Sequence, residues 1–212
     1  NLYAAFLSTQ DETIGNLLAT LDRLKLREDT IIVFQSDHGH SHEERAHFGG
    51  GSSGPYRGAK FSMFEGGLRV PAIISWPGNL PEGAVRDQVA HSCDWLPTLA
   101  ELAGVKLTQK DIDGKSIVSV IKDGKVKTPH DVLHWQLGRG NNPRWAVRQG
   151  DWKLIGNPQD TSKKGPITAK DKLFLVNLKE SVSEMKNLAH TNPDVTQRLK
   201  KLHDDWVTKI SK

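Results

Sequence analysis

The 212-residue sequence predicts an α/β fold over residues 1–125, followed over 126–212 by a small antiparallel sheet that ends in a helix. Three observations carry this expectation. An amphipathic helical pattern runs straight into an unbroken apolar strand, and a second apolar strand follows a Gly-rich loop. Beyond Thr128, four short strand-like pieces are split by Gly, Asn and Pro before a last helical pattern. A helix leading into a wholly apolar strand suggests one arm of a sheet covered on both faces, since such a strand has no side left for water.

The first helix is read from Tyr3, Leu7, Ile14, Leu17, Leu18, Leu21 and Leu24, which recur at three- and four-residue steps. Residues 30–35 are β-branched and aromatic, a buried strand by composition, and they run into Ser36-Asp37-His38-Gly39. In open α/β sheets ligands gather at the carboxyl edge of the strands, so this polar turn is well placed for chemistry. Residues 40–59 are rich in Gly, Ser, His and charge, a loop of a length that is more often functional or disordered than structural filler. The second apolar strand covers 70–76 and closes at Pro77-Gly78. Asp94 is placed to cap a helix over 95–103, with Pro97 in its first turn and Gly104 as its stop. The last helix takes Asn192 as cap and Pro193 at its first position, with Val195, Leu199, Leu202, Trp206 and Ile210 as a core-facing stripe.

Composition narrows the classes. Hydrophobic residues at 36% and charged residues at 25% fit a globular chain able to bury a core. No apolar run reaches the length of a bilayer, so no membrane span is expected. The net charge of +4 suits an anionic substrate, although solvated lysines on loops and a helix face are the better account of it. Zinc-finger spacing and an aromatic-interleaved basic stripe are both missing, which argues against nucleic acid. Cys93 is the sole cysteine, which excludes an intrachain disulfide and a multi-cysteine metal site within this sequence. It reads as a buried small residue. Opening at Asn1 in mid-pattern, the chain is expected to be a fragment or a processed form.

Asp37 and His38, adjacent at a strand end, could both reach one metal ion, although a solvated turn is the commoner use of such a pair. His38-Gly39-His40-Ser41-His42, with His47 downstream, offers a rival zinc-loop reading. It resembles the H-x-H-x-D-H of metallo-β-lactamase-like hydrolases, but His42-Glu43 stands where the closing Asp-His should be. Lys60, between a Gly-rich loop and an apolar stretch, could deliver a point charge to a tetrahedral oxyanion.

Taken in order, S-D-H-G, the Gly-rich loop, R-G-A-K and F-E-G-G-x-R-V-P-x-I-x-x-W-P-G resemble the second half of the sulfatase signature in the alkaline-phosphatase-like superfamily. The match continues through Asp94-Trp95-Leu96-Pro97-Thr98-Leu99, Asp113-Gly114-Lys115-Ser116, Arg144-Trp145-Ala146-Val147-Arg148, Gly150-Asp151-Trp152-Lys153-Leu154, residues 173–178 and Asn187-Leu188-Ala189. The resemblance implies the carboxy-terminal part of an alkaline-phosphatase-like α/β sandwich, with a small antiparallel-sheet subdomain and a carboxy-terminal helix. It implies that Asp37 and His38 ligate a divalent cation, usually Ca2+, and that Lys60 is the catalytic, substrate-binding lysine on the sulfate. It also implies that Glu65, Gly66, Gly67, Arg69 and Pro71 are scaffolding, with Arg69 tying Glu65 or a carbonyl.

The family nucleophile is a formylglycine made from C/S-x-P-x-R, and Cys93-Asp94-Trp95-Leu96-Pro97 fails that spacing. The resemblance therefore places the formylglycine, further metal ligands and a missing amino-terminal half upstream of Asn1. The implied substrates are sulfated carbohydrates or small sulfate esters, and a periplasmic or secreted setting follows from the family alone. A phosphodiesterase or phosphonate hydrolase of the same superfamily, and a non-catalytic carbohydrate-binding homologue, stay open. Trp135, Arg139 and Arg144 could line a sugar pocket or serve the fold.

Overall fold

A computed structural model describes residues 2–46, 49–140 and 142–211. The chain packs as two interleaved compact units, one of residues 1–14, 34–73 and 132–212, the other of 15–33 and 74–131. This partition by packing differs from the linear division at 125/126.

Helix α1 (Leu2–Arg23) is followed by β1 (Ile32–Gln35), the short helix α2 (Glu65–Leu68) and β2 (Ala72–Ser75). β1 and β2 form a two-stranded sheet. Composition predicts that residues 30–35 are buried, yet Phe34 is 43% exposed and Ile73 in β2 is 60% exposed. A two-stranded sheet covers neither of its faces, so apolar strand residues stay open to water. The second unit adds α3 (Trp95–Leu102) and α4 (Val118–Lys122). Asp94 does not cap α3 with its side chain. Its buried carboxylate instead accepts from the amides of His91 at 2.7 Å and Lys115 at 2.9 Å, and lies 2.8 Å from His130 Nε2. Cys93 is exposed, contrary to the sequence reading. It sits in a tight 3-10 turn whose next residue, Asp94, takes the inward position.

Strands β3 (Leu133–Leu137), β4 (Arg144–Gln149), β5 (Trp152–Gly156) and β6 (Leu173–Asn177) make an antiparallel meander in sequence order. Both faces are covered. Trp145, Val147, Leu154 and Leu175 pack with Leu199 of α5 (Pro193–Ile210). Ala146, Ile155, Phe174 and Val176 pack with Met63 and Phe64, which lead into α2. Alternate residues of each strand thus meet different apolar layers, which is why the pieces read as unbroken apolar runs. Asn192 precedes Pro193 as expected but makes no side-chain cap, its amide instead donating back to the Leu188 carbonyl at 3.2 Å.

Candidate active site

Three segments of the first unit are laced together through their backbones. The Gly39 amide donates to the Gly67 carbonyl at 3.1 Å, Lys60 to His40 at 2.9 Å, and Gly66 to Arg57 at 2.7 Å. These bonds join the turn carrying Asp37 and His38, the turn carrying Lys60, and the start of α2. Close approach requires glycine here. A Cβ on Gly39 would lie 1.9 Å from the Gly66 carbonyl oxygen, and one on Gly66 would lie 2.2 Å from that of Gly58.

On this platform His38 Nε2 lies 3.0 Å from Asp37 Oδ2, so the two side chains meet rather than diverge. The other ring nitrogen, Nδ1, is 2.8 Å from the Gly39 carbonyl, and that acceptor requires Nδ1 to carry the hydrogen. In a neutral ring Nε2 then presents a lone pair to a carboxylate oxygen, which repels unless a cation lies between them or the ring is protonated. Asp37 is 82% exposed at its side chain, so a ligand can reach it, although Oδ1 also accepts from the His38 amide at 2.9 Å. One carboxylate and one imidazole at this separation fit neighbouring positions around a hard divalent ion. They supply two donors, and no group of three or more His, Cys, Asp or Glu is so placed among the described residues.

The Lys60 ammonium, 14% exposed, lies 2.6 Å from Glu43 Oε2 and 5.0 Å from the centre of the Phe61 ring. Glu43 also accepts from Ser41 Oγ at 2.9 Å. Sequence reasoning noted Glu43 only as the residue breaking a zinc motif, and no local pattern signals a partner 17 positions from Lys60. His40 and His42 bring their Nε2 atoms to 3.0 Å, while His47 of the rival zinc loop lies outside the described residues. Burial, then His42 and Lys164, lowers the His40 imidazole below its ordinary value.

Buried charge holds the platform to the four-stranded sheet. Arg57, fully buried, donates to Asp160 at 2.8 Å and to the carbonyls of Glu184, Gly165 and Pro166 at 2.8–3.0 Å, with its guanidinium 4.3 Å from the Phe64 ring centre. The Lys153 ammonium lies between Glu65 at 2.7 Å and Glu184 at 2.8 Å. Burial pushes the Glu65 carboxyl up, but Lys153, Arg148 and Arg69 together hold it below the usual range. Burial prevails at Glu184, whose carboxyl is raised. Glu65 is thus tied by Lys153, while the Arg69 side chain stacks 4.9 Å from the Tyr56 ring centre.

Comparison with known proteins matches a sequence model of the Sulfatase family to residues 1–105, and one described as N-sulphoglucosamine sulphohydrolase, C-terminal, to residues 57–212. The chain belongs to the sulfatase family. It is 36% identical to human steryl-sulfatase over 161 residues, covering 73% of this chain and 28% of that protein. It is 32% identical to human arylsulfatase A over 209 residues, covering 91% and 40%. Among solved structures, one determined in complex with its substrate D-glucosamine-2-N,6-O-disulfate is 25% identical, with a TM-score of 0.69 over 92% of this chain and 37% of that one. The chain thus spans two fifths or less of each of these proteins. The alkaline-phosphatase-like α/β class expected from the sequence agrees with these neighbours.

Proposed function

We propose that this chain is the carboxy-terminal part of a sulfuric ester hydrolase acting on sulfated carbohydrates or small sulfate esters. Support comes from family membership and from one observation above all, the backbone bond from Lys60 to His40 that fixes the lysine to the Asp37–His38 turn. The names of the relatives and the disulfated sugar bound by the solved neighbour favour this substrate class.

Asp37 and His38 would hold a divalent cation, for which Ca2+ is the best match to a carboxylate donor with an otherwise open shell. The ion would supply Lewis-acid charge to the sulfate oxygens. His38 would bind through Nε2 while Gly39 fixes its tautomer, the usual role of a carbonyl behind a ligating imidazole. Lys60 would contact the sulfate and the leaving oxygen, offsetting negative charge as the S–O bond breaks and donating a proton to the departing alkoxide. Glu43 keeps that ammonium aimed until substrate replaces it. The nucleophile is proposed to belong to an upstream C/S-x-P-x-R segment. Ser53-Gly54-Pro55-Tyr56-Arg57 fits that spacing, but its Ser53 hydroxyl donates to the Tyr56 carbonyl at 2.8 Å and its arginine is buried against Asp160, which favours a scaffolding role.

The test is hydrolysis of a sulfate ester by the full-length protein, with and without Ca2+ after chelation. Lys60→Ala is expected to lower kcat by about 10²–10³, and Asp37→Ala to abolish rescue by Ca2+. Hydrolysis of a phosphonate or phosphodiester in preference to every sulfate ester tried would overturn the reading.

A further inference from the structure

Phe61, directly after Lys60, has a backbone φ of 71°. A bulky side chain in the left-handed region is an outlier, and such strain persists where surrounding structure enforces it, often at a binding site. Here the enforcement is visible. Arg144 donates to the Phe61 carbonyl at 2.9 Å and also bonds Gln159, while Ser62 Oγ donates to the Gln159 carbonyl at 2.8 Å. The result is an aromatic residue 47% exposed, with the Lys60 ammonium 5.0 Å from its ring centre.

Arg144 and Gln159 also line a cleft of about 460 Å³ whose wall includes Asn157, Thr168 and Lys172. Asn157 is a second residue with positive φ, at 51°. The cleft is predominantly polar and holds two cations. Its one carboxylate, Asp171, is already engaged by the Thr168 amide and hydroxyl and by Asn187. A ring face beside the reacting centre, continuing into donors and positive charge, matches a pyranose with a further anionic substituent better than it matches an apolar alcohol.

We propose that Phe61 is the stacking platform for the sugar that carries the scissile sulfate, and that the Arg144–Lys172 cleft takes a second sulfate or carboxylate of the same saccharide. This rests on the hydrolase reading and deepens it to a polyanionic sugar.

The experiment compares the full-length protein with its Phe61→Gly and Lys172→Glu variants on three substrates: a disulfated disaccharide, its monosulfated counterpart and a small alkyl sulfate. Glycine suits the positive φ, so Phe61→Gly is expected to melt no lower than the parent. Its kcat/KM for the disulfated sugar, relative to the alkyl sulfate, should fall about fivefold, mostly through KM. Lys172→Glu should lower the ratio of disulfated to monosulfated sugar about threefold. Unchanged ratios in both folded variants, or a parent preference for apolar aryl or steroid sulfates, would overturn the subsite. Calorimetric binding of the disulfated sugar to the same proteins separates the two claims. A parent that hydrolyses no sulfate ester, yet binds the sugar more tightly than either variant, would sink the hydrolase reading and keep the subsite. Equal binding by all three would remove the subsite.

Discussion

Lys60 shares its charge between the Glu43 carboxylate at 2.6 Å and the face of Phe61. Glu43→Gln keeps the shape and removes the charge, so the ammonium loses its strongest restraint. The expected result is a several-fold fall in kcat with little change in KM, because the ammonium is no longer held in one position against the sulfate. A purely structural role for Glu43 would instead lower the melting temperature and leave kcat of the folded variant unchanged. Gly39 is the other sensitive position. With a Cβ 1.9 Å from the Gly66 oxygen, Gly39→Ala must push apart the turn and α2, at a cost of about 1–3 kcal/mol or more, read from the urea midpoint.

At the scale of elements, α5 is seated by stacked rings, His203 on Trp145 with centres 3.9 Å apart and His134 on Trp206 at 5.0 Å. Burial, then the neighbouring His203, drops the His134 imidazole to about 4 from 6.5. The unfolded chain therefore takes up a proton through that window while the folded chain does not, so stability rises with pH across it. Acidification from pH 6.5 to about 4 should weaken the packing of α5, and His134→Phe should flatten the dependence, measured as melting temperature against pH. The buried triad acts differently. Lys153→Ala removes the cation between Glu65 and Glu184, leaving Arg148 at 3.8 Å from Glu65, and should cost about 3–5 kcal/mol, whereas Lys153→Met with both glutamates changed to Gln should recover most of it.

The limits of sequence reasoning show at this scale too. The four strands and α5 were legible because their apolar residues occupy both faces of one sheet and one stripe of one helix. Asp37, His38 and Lys60 stood out as polar residues at strand and loop ends. Glu43, Arg57 and the Glu65–Lys153–Glu184 triad did not, since their partners lie 17 to 127 positions away and no periodicity links them. The side-chain caps expected from Asp94 and Asn192 failed because each side chain found another partner.

For the whole molecule, the notable surface is α1, 22 residues long with none buried. Phe6 is 60% exposed and Leu17 57%, while Leu2, Leu7 and Leu24 are also open. Exposed apolar surface on this scale marks a face that expects cover, and the two-stranded sheet has open edges of its own. The chain expressed alone should therefore self-associate, as seen by light scattering, and should become monodisperse only when the proposed amino-terminal half is supplied. No helix among the described residues is long and apolar enough to cross a membrane. A monomer with one sharp melting transition would contradict the prediction.

Arg57 has a consequence for how such proteins can be recombined. Its guanidinium lies in one stretch of sequence, and every oxygen it satisfies lies between Asp160 and Glu184. A chimera whose crossover falls between Lys60 and Asn157 takes the donor from one parent and the acceptor cage from the other. Unless both parents shape that cage alike, the hybrid inherits a buried cation with no home. Crossovers placed upstream of Tyr56 transfer the arginine and its acceptors as one block, so libraries cut there should yield more folded hybrids than libraries cut within the following hundred or so residues.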